Sequence, residues 1–195
     1  MFPWLPFLLY IIVMAYTPGP NNIMAMNTAK NVGFRKSLVF VAGVYAGVFF
    51  VTILCILFSA LLYNVIPVMQ FFMKILGAAY MGYLIIKTLT SSAKREEKNS
   101  KTKNSSFFIA VALQLINPKL IMYGITVASS YVLPYYNQIQ VWVLFAFLLT
   151  TIGITGVVCW ALFGSLFSRL FSKHGKILNI IMAVLLLYCI ISLFI

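Results

Sequence analysis

The chain has 195 residues, of which 63% are hydrophobic and 8% charged, against about 45–50% and about 25% in an ordinary soluble domain. No water-soluble core of that length could enclose so much apolar surface, which excludes a soluble globular domain and makes lipid the solvent of most side chains. The net charge of +12 would suggest nucleic acid in a soluble protein; here it reads as loop charge that sets membrane orientation, and no nucleic-acid partner is expected.

A spanning helix needs about 20 apolar residues. Six such segments are read in chain order, at about 4–28, 38–62, 67–89, 107–132, 139–163 and 177–195. The expected fold is all-α, a polytopic membrane protein of six transmembrane helices in one domain over residues 1–195. The first segment carries "AYTPGPNNIMAMN", residues 15–27, where an unbroken helix would be expected. Pro18 and Pro20 lack the amide donor and clash with the preceding turn, and Gly19 is a poor helix former. The spacing predicts a helix broken near its middle, with Asn21 and Asn22 beside the break. Met1 to Pro3 carry no basic region, and no small-residue cleavage site follows. The segment is therefore expected to remain as a span rather than be removed as a signal peptide.

In the second segment Gly43 and Gly47 form a small-xxx-small pair suited to close helix contact. Gly77 and Gly82 suggest the same in the third, where Lys74 reads as a lysine near the outer end that snorkels to the headgroups. The polar stretch "SSAKREEKNSKTKNSS" is a low-hydrophobicity linker. It separates half one (about 1–90) from half two (about 107–195), itself occupying about 91–106. The fourth segment holds "QLINPKLIMYG", residues 114–124, a second helix broken at Pro118 between Asn117 and Lys119. Lys119 lies about twelve residues into its apolar run, too deep to snorkel, and an intramembrane charge marks a functional site by default. In the fifth segment Gly153 and Gly156 again suggest close approach. Cys55, Cys159 and Cys189 form no CxxC pair and read as small buried hydrophobes. No metal set or cofactor is expected, and His174 reads as a solvated loop residue.

The basic residues alternate. Lys30, Arg35 and Lys36 follow the first segment, Lys87, Lys94, Arg95, Lys98, Lys101 and Lys103 the third, and Arg169, Lys173 and Lys176 the fifth. The connections at about 63–66 and 133–138, and both termini, have none. By the positive-inside rule both termini lie outside and the basic loops in the cytoplasm. An odd number of spans per half inverts the second half relative to the first, a 3+3 inverted repeat with its first and fourth helices broken at equivalent positions. Paired interruptions of this kind point to a transporter's binding site, the alternative being two ordinary proline kinks.

Unwinding a helix in lipid leaves backbone groups without partners, at several kcal/mol each, unless they line a wet cavity or are buried in protein. There the break offers half-helix amides for anions and carbonyls for cations, which suits a small zwitterion. The candidate binding residues are Thr17, Pro18, Gly19, Pro20, Asn21, Asn22, Asn117, Pro118 and Lys119. Lys119 and the half-helix amides would take a carboxylate; Asn21, Asn22 and freed carbonyls would take an ammonium. Alternatively, Lys119 is held by the carbonyls freed at Pro118, or is neutral. The only acids, Glu96 and Glu97, lie in the linker. That weighs against a cationic substrate, which would need a carboxylate partner, and against an intramembrane hydrolase. It also leaves proton coupling without its usual carrier. Tyr16, Tyr45, Tyr123 and Trp160 are amphipathic and could line a pocket, with core packing or an interfacial belt the expected role of each.

"TPGPNN" followed by "NVGFRKS", "LGAAYMGYLIIK", "LQLINPKLIMYGITVASSYVLP" and the last third from "CWALFGSLF" onward together resemble the LysE/RhtB family of bacterial amino-acid exporters, over essentially the whole chain. The last third looks closest to its cysteine/O-acetylserine branch. The resemblance implies a six-helix inner-membrane exporter of small amino acids. It also implies proton-motive force as the drive and a substrate site at the paired broken helices. Many members carry Asp where this chain has Asn21, so an acid-based coupling scheme cannot be carried over. The glycine pairs do not argue a dimer, and a homo-oligomer stays open. The rival readings are a thiol–disulfide electron carrier, which needs two cysteines that meet, and a non-catalytic scaffold.

Overall fold

The computed structural model describes residues 2–61 and 107–166, the backbone of 175–192, and helical positions between 72 and 89. The linker, Lys74, Gly77, His174 and the side chain of Cys189 lie outside the described residues. Among the described residues the chain forms α1 (Trp4–Tyr16), α2 (Pro20–Val32), α3 (Phe34–Leu61), α4 (Phe107–Leu115), α5 (Pro118–Val127), α6 (Ile139–Leu166) and α7 (Gly175–Ser192). A wider π turn, Ala128–Val132, continues α5. No strand occurs among them.

Both expected breaks are present. α1 has 13 residues, about 20 Å at 1.5 Å per residue, short of the roughly 30 Å hydrocarbon core. It stops at Thr17, and Pro20 opens α2 at the one helical position where a missing amide is harmless. In the second half α4 and α5 bend by 61° at their break. α3 and α6, with 28 residues each, are the two described helices long and apolar enough to cross a membrane in one piece. The bent α4–α5 pair brings that number to three. α3 begins at Phe34, four residues before the expected start at 38. Gly33 (φ 84°) ends α2 in a left-handed conformation that glycine tolerates, and its carbonyl accepts from the Ser37 amide at 3.1 Å.

The molecule is apolar outside and buries several polar side chains within its apolar core. Leu5, Leu61 and Phe108 are 71%, 80% and 79% exposed, whereas Gln114 and Thr150 are fully buried. In water that pattern would be untenable; in lipid it is the stable one. The interior is closed by near-contact of backbones. A side chain at Gly156 would run into the Ala15 carbonyl, and one at Gly164 into the Met26 carbonyl, so α6 lies directly on α1 and α2. Gly43 and Gly47 bring α3 against Phe107, Ala110, Val111 and Gln114 of α4, the close contact their spacing implies. Gly153 differs from expectation: nothing approaches within 4 Å, because it faces a cavity rather than a helix. Gly82 is likewise open. Cys159 also departs from the reading of buried cysteines. It is exposed on α6, a small apolar group turned to lipid, while Cys55 is buried.

Gly156→Val is expected to lower stability by about 1–3 kcal/mol, the usual cost of overpacking, whereas Gly153→Ala should stay within about 0.5 kcal/mol of wild type. Thermal unfolding in detergent, followed by size exclusion, reads both. Equal melting points for the two variants would contradict the direct contact of α6 with α1.

Candidate functional site

The first break frees a run of carbonyls, and each has a partner. Thr17 closes α1 through its amide on the Val13 carbonyl (2.9 Å) and its hydroxyl on the Met14 carbonyl (3.2 Å). Asn22 Nδ2 donates to the carbonyls of Ala15 (3.0 Å) and Thr17 (2.9 Å). Trp160 Nε1 donates to the Tyr16 carbonyl (3.1 Å). The Ile23 amide takes the Gly19 carbonyl (3.0 Å). Lys119 comes from the other half of the chain. Its Nζ donates to Thr17 O (2.9 Å), Thr17 Oγ1 (2.8 Å) and Pro18 O (3.3 Å).

An ammonium has three protons, and here three oxygens of the first break receive them. The charge sits at the negative end of α1, where a cation is favoured. The expected alternative, carbonyls freed at Pro118, is corrected: the backbone oxygens that hold Lys119 are those of Thr17 and Pro18 at the first break, because Lys119 reaches from α5 to the end of α1. Gly19 is extended (φ −166°), a conformation any residue adopts. Its lack of a side chain matters because Lys119 Cδ would lie 2.8 Å from a β-carbon there.

The second break is built differently. Asn117 Oδ1 accepts from the Leu120 amide (3.3 Å) and caps α5, whereas α2 has no side-chain cap at Gly19. Gln114, fully buried, ties the two breaks together. Its Nε2 bonds the Ala110 carbonyl (2.9 Å), which turns Oε1 toward Asn21 Nδ2 (2.7 Å) and Asn117 Nδ2 (3.5 Å). The amide orientations follow in sequence. Because Asn22 and Asn21 give their NH2 groups to acceptors, both keep an Oδ1 acceptor to offer.

Between the breaks lies a cavity of about 70 Å³, room for several waters at roughly 10–15 Å³ each and so for a solute of a handful of heavy atoms. Of the sequence candidates, Gly19, Pro20, Asn21, Asn22, Asn117 and Lys119 line it. Thr17 and Pro18 hold Lys119 from behind, and Pro118 opens α5 away from the lining. Three contributors lie outside those candidates. Gln114 was detectable as an uncharged amide in an apolar run one turn before Asn117. Thr150 and Tyr123 line the cavity, but their spacing alone reads as core. Tyr16 and Trp160 act as fasteners, since the Tyr16 hydroxyl also donates to Thr155 Oγ1 (3.1 Å).

A family model described as LysE type translocator matches residues 12–195. The chain is 43% identical over 186 residues to a protein of Escherichia coli O1:K1 / APEC named cysteine/O-acetylserine efflux protein, covering 95% of this chain and 94% of that one. It is 42% identical, with the same coverage, to proteins of that name from E. coli strain K12 and Shigella flexneri serotype 5b. No solved structure matches the chain.

Gln114→Leu should cost about 1–3 kcal/mol, because the Asn21 and Asn117 amides lose the acceptor that joins the two breaks. Adding Asn21→Leu should return part of that loss, a coupling that a double-mutant cycle measures by thermal unfolding. Strictly additive losses would mean that Gln114 does not join the two breaks.

Proposed function

Because the chain belongs to the LysE-type translocator family, and is a membrane transporter rather than an enzyme, we propose that it exports small neutral amino acids or their derivatives, of the size of cysteine or O-acetylserine, across the bacterial inner membrane. One observation carries the reading: an ammonium, Lys119 Nζ, is fixed in the wall of a small cavity at the junction of two broken helices. No side-chain carboxylate belongs to the apolar segments, because both acids are in the linker. A substrate carboxylate would be attracted to that fixed positive charge. It would sit between Lys119 and the uncapped N-terminus of α2, where the helix dipole also favours an anion. The Oδ1 atoms of Asn21 and Asn22 face the substrate ammonium. Asn117 shapes the floor through its cap.

The cavity size favours short side chains, in keeping with the names of the relatives. The lack of a carboxylate disfavours a second positive charge. Alternating access would work by shifting the two halves, each with one broken helix, about a site that Lys119 and Gln114 already bridge. The six-span inverted repeat, external termini and proton-motive drive complete the proposal. Among the described residues Cys55 is buried and Cys159 exposed, with no disulfide between them, an arrangement that lends a thiol–disulfide relay no support.

The test is efflux from preloaded cells of cysteine, O-acetylserine, threonine, leucine and lysine, with and without a protonophore. Wild type should release the small neutral solutes fastest, and Lys119→Ala at matched membrane abundance should lower that flux about 10-fold or more, as loss of a charged hydrogen bond implies. Wild-type export by Lys119→Ala would refute the assigned site, and no flux of any amino acid would refute the function. Reporter fusions should place both termini outside; a cytoplasmic terminus would overturn the orientation.

A further inference from the structure

Among the described residues six polar side chains line the cavity: Asn21, Asn22, Asn117, Lys119, Thr150 and Tyr123. Five are tied to the protein. Asn21 donates to Gln114, Asn22 to two carbonyls, Asn117 caps α5, Lys119 holds the first break, and the Thr150 hydroxyl donates to the Ala146 carbonyl at 2.7 Å. Tyr123 is the exception. It is 7% exposed, and its hydroxyl is buried with no hydrogen-bond partner among the described residues. A buried hydroxyl left unpaired costs roughly 1–3 kcal/mol, and the core would lose nothing from phenylalanine here. The ring is also held in place. Tyr123 stacks on Tyr10 at 6.0 Å and 23°, and Tyr10 on Tyr131 at 6.2 Å and 27°.

Tyr123 follows Lys119 by four residues on α5, so both project from one face, about 6 Å apart along the axis. A short α-amino acid with its carboxylate at Lys119 would extend along that face toward Tyr123, the next polar side chain of α5 to line the cavity. We infer that the Tyr123 hydroxyl reads the substrate's side chain, bonding a γ-hydroxyl, thiol or ester oxygen, and so makes the site selective for polar over aliphatic solutes of equal size. The inference rests on the substrate site proposed above and adds the residue that sets its preference. A site built to hydrogen-bond a group disfavours the analogue lacking it, because its own polar atom then stays unpaired.

The test compares serine and cysteine with 2-aminobutyrate, which carries a methyl where they carry OH or SH. Initial rates are measured over a concentration series in everted vesicles. Wild type should favour the polar solutes. Tyr123→Phe should raise their KM about 3- to 10-fold, the range of one hydrogen bond, leave that of 2-aminobutyrate unchanged, and melt at the same temperature or higher. An unchanged preference in the variant, or an equal loss for all three solutes, would overturn the inference while leaving the transport reading intact. Absence of flux in wild type would overturn both.

Discussion

A carbonyl oxygen cannot be left bare in lipid, and that constraint organises this protein. The carbonyls from Met14 to Gly19 are released together where α1 ends, and three parts of the chain take them up: Thr17, Asn22 and Ile23 locally, Trp160 from α6 and Lys119 from α5. At several kcal/mol for each unsatisfied group, the break persists because three parts of the chain converge on it. The same demand explains why α6 carries glycine where it meets α1, since the Ala15 carbonyl occupies the space a side chain would fill.

The two breaks share a cause in proline but differ in what they leave over. Asn117 uses its side chain to cap the helix it precedes, so the second break is largely complete in itself. The first ends in Gly19, which has no side chain to contribute, and α2 begins uncapped. One half thus supplies an open helix terminus, and the other supplies the cation beside it. Gln114, with both ends of its amide engaged, keeps the halves in register.

The charge on Lys119 is compatible with this interior because it is spread over three oxygens at the negative end of a helix dipole. Those oxygens are neutral, and the apolar segments contribute no Asp or Glu. That is the electrostatic ground for the carboxylate site proposed above.

Much of the architecture was legible in the sequence because lipid leaves few choices. Apolar length determined where helices run, and Pro18, Pro20 and Pro118 determined where they break, since a missing amide is a local property. Lys119 stood out for the same reason, as a charge at a depth where charge is costly. Helical periodicity could not say that Gly153 borders a cavity while Gly156, three residues on, meets a backbone, nor that Tyr123 lines that cavity. It could not show that Lys119 bonds the break 101 residues away rather than its own. Those outcomes depend on which helices come to lie side by side. A proline acts within one turn of its own chain, whereas a hydrogen bond between halves exists only after packing has set the distance between them.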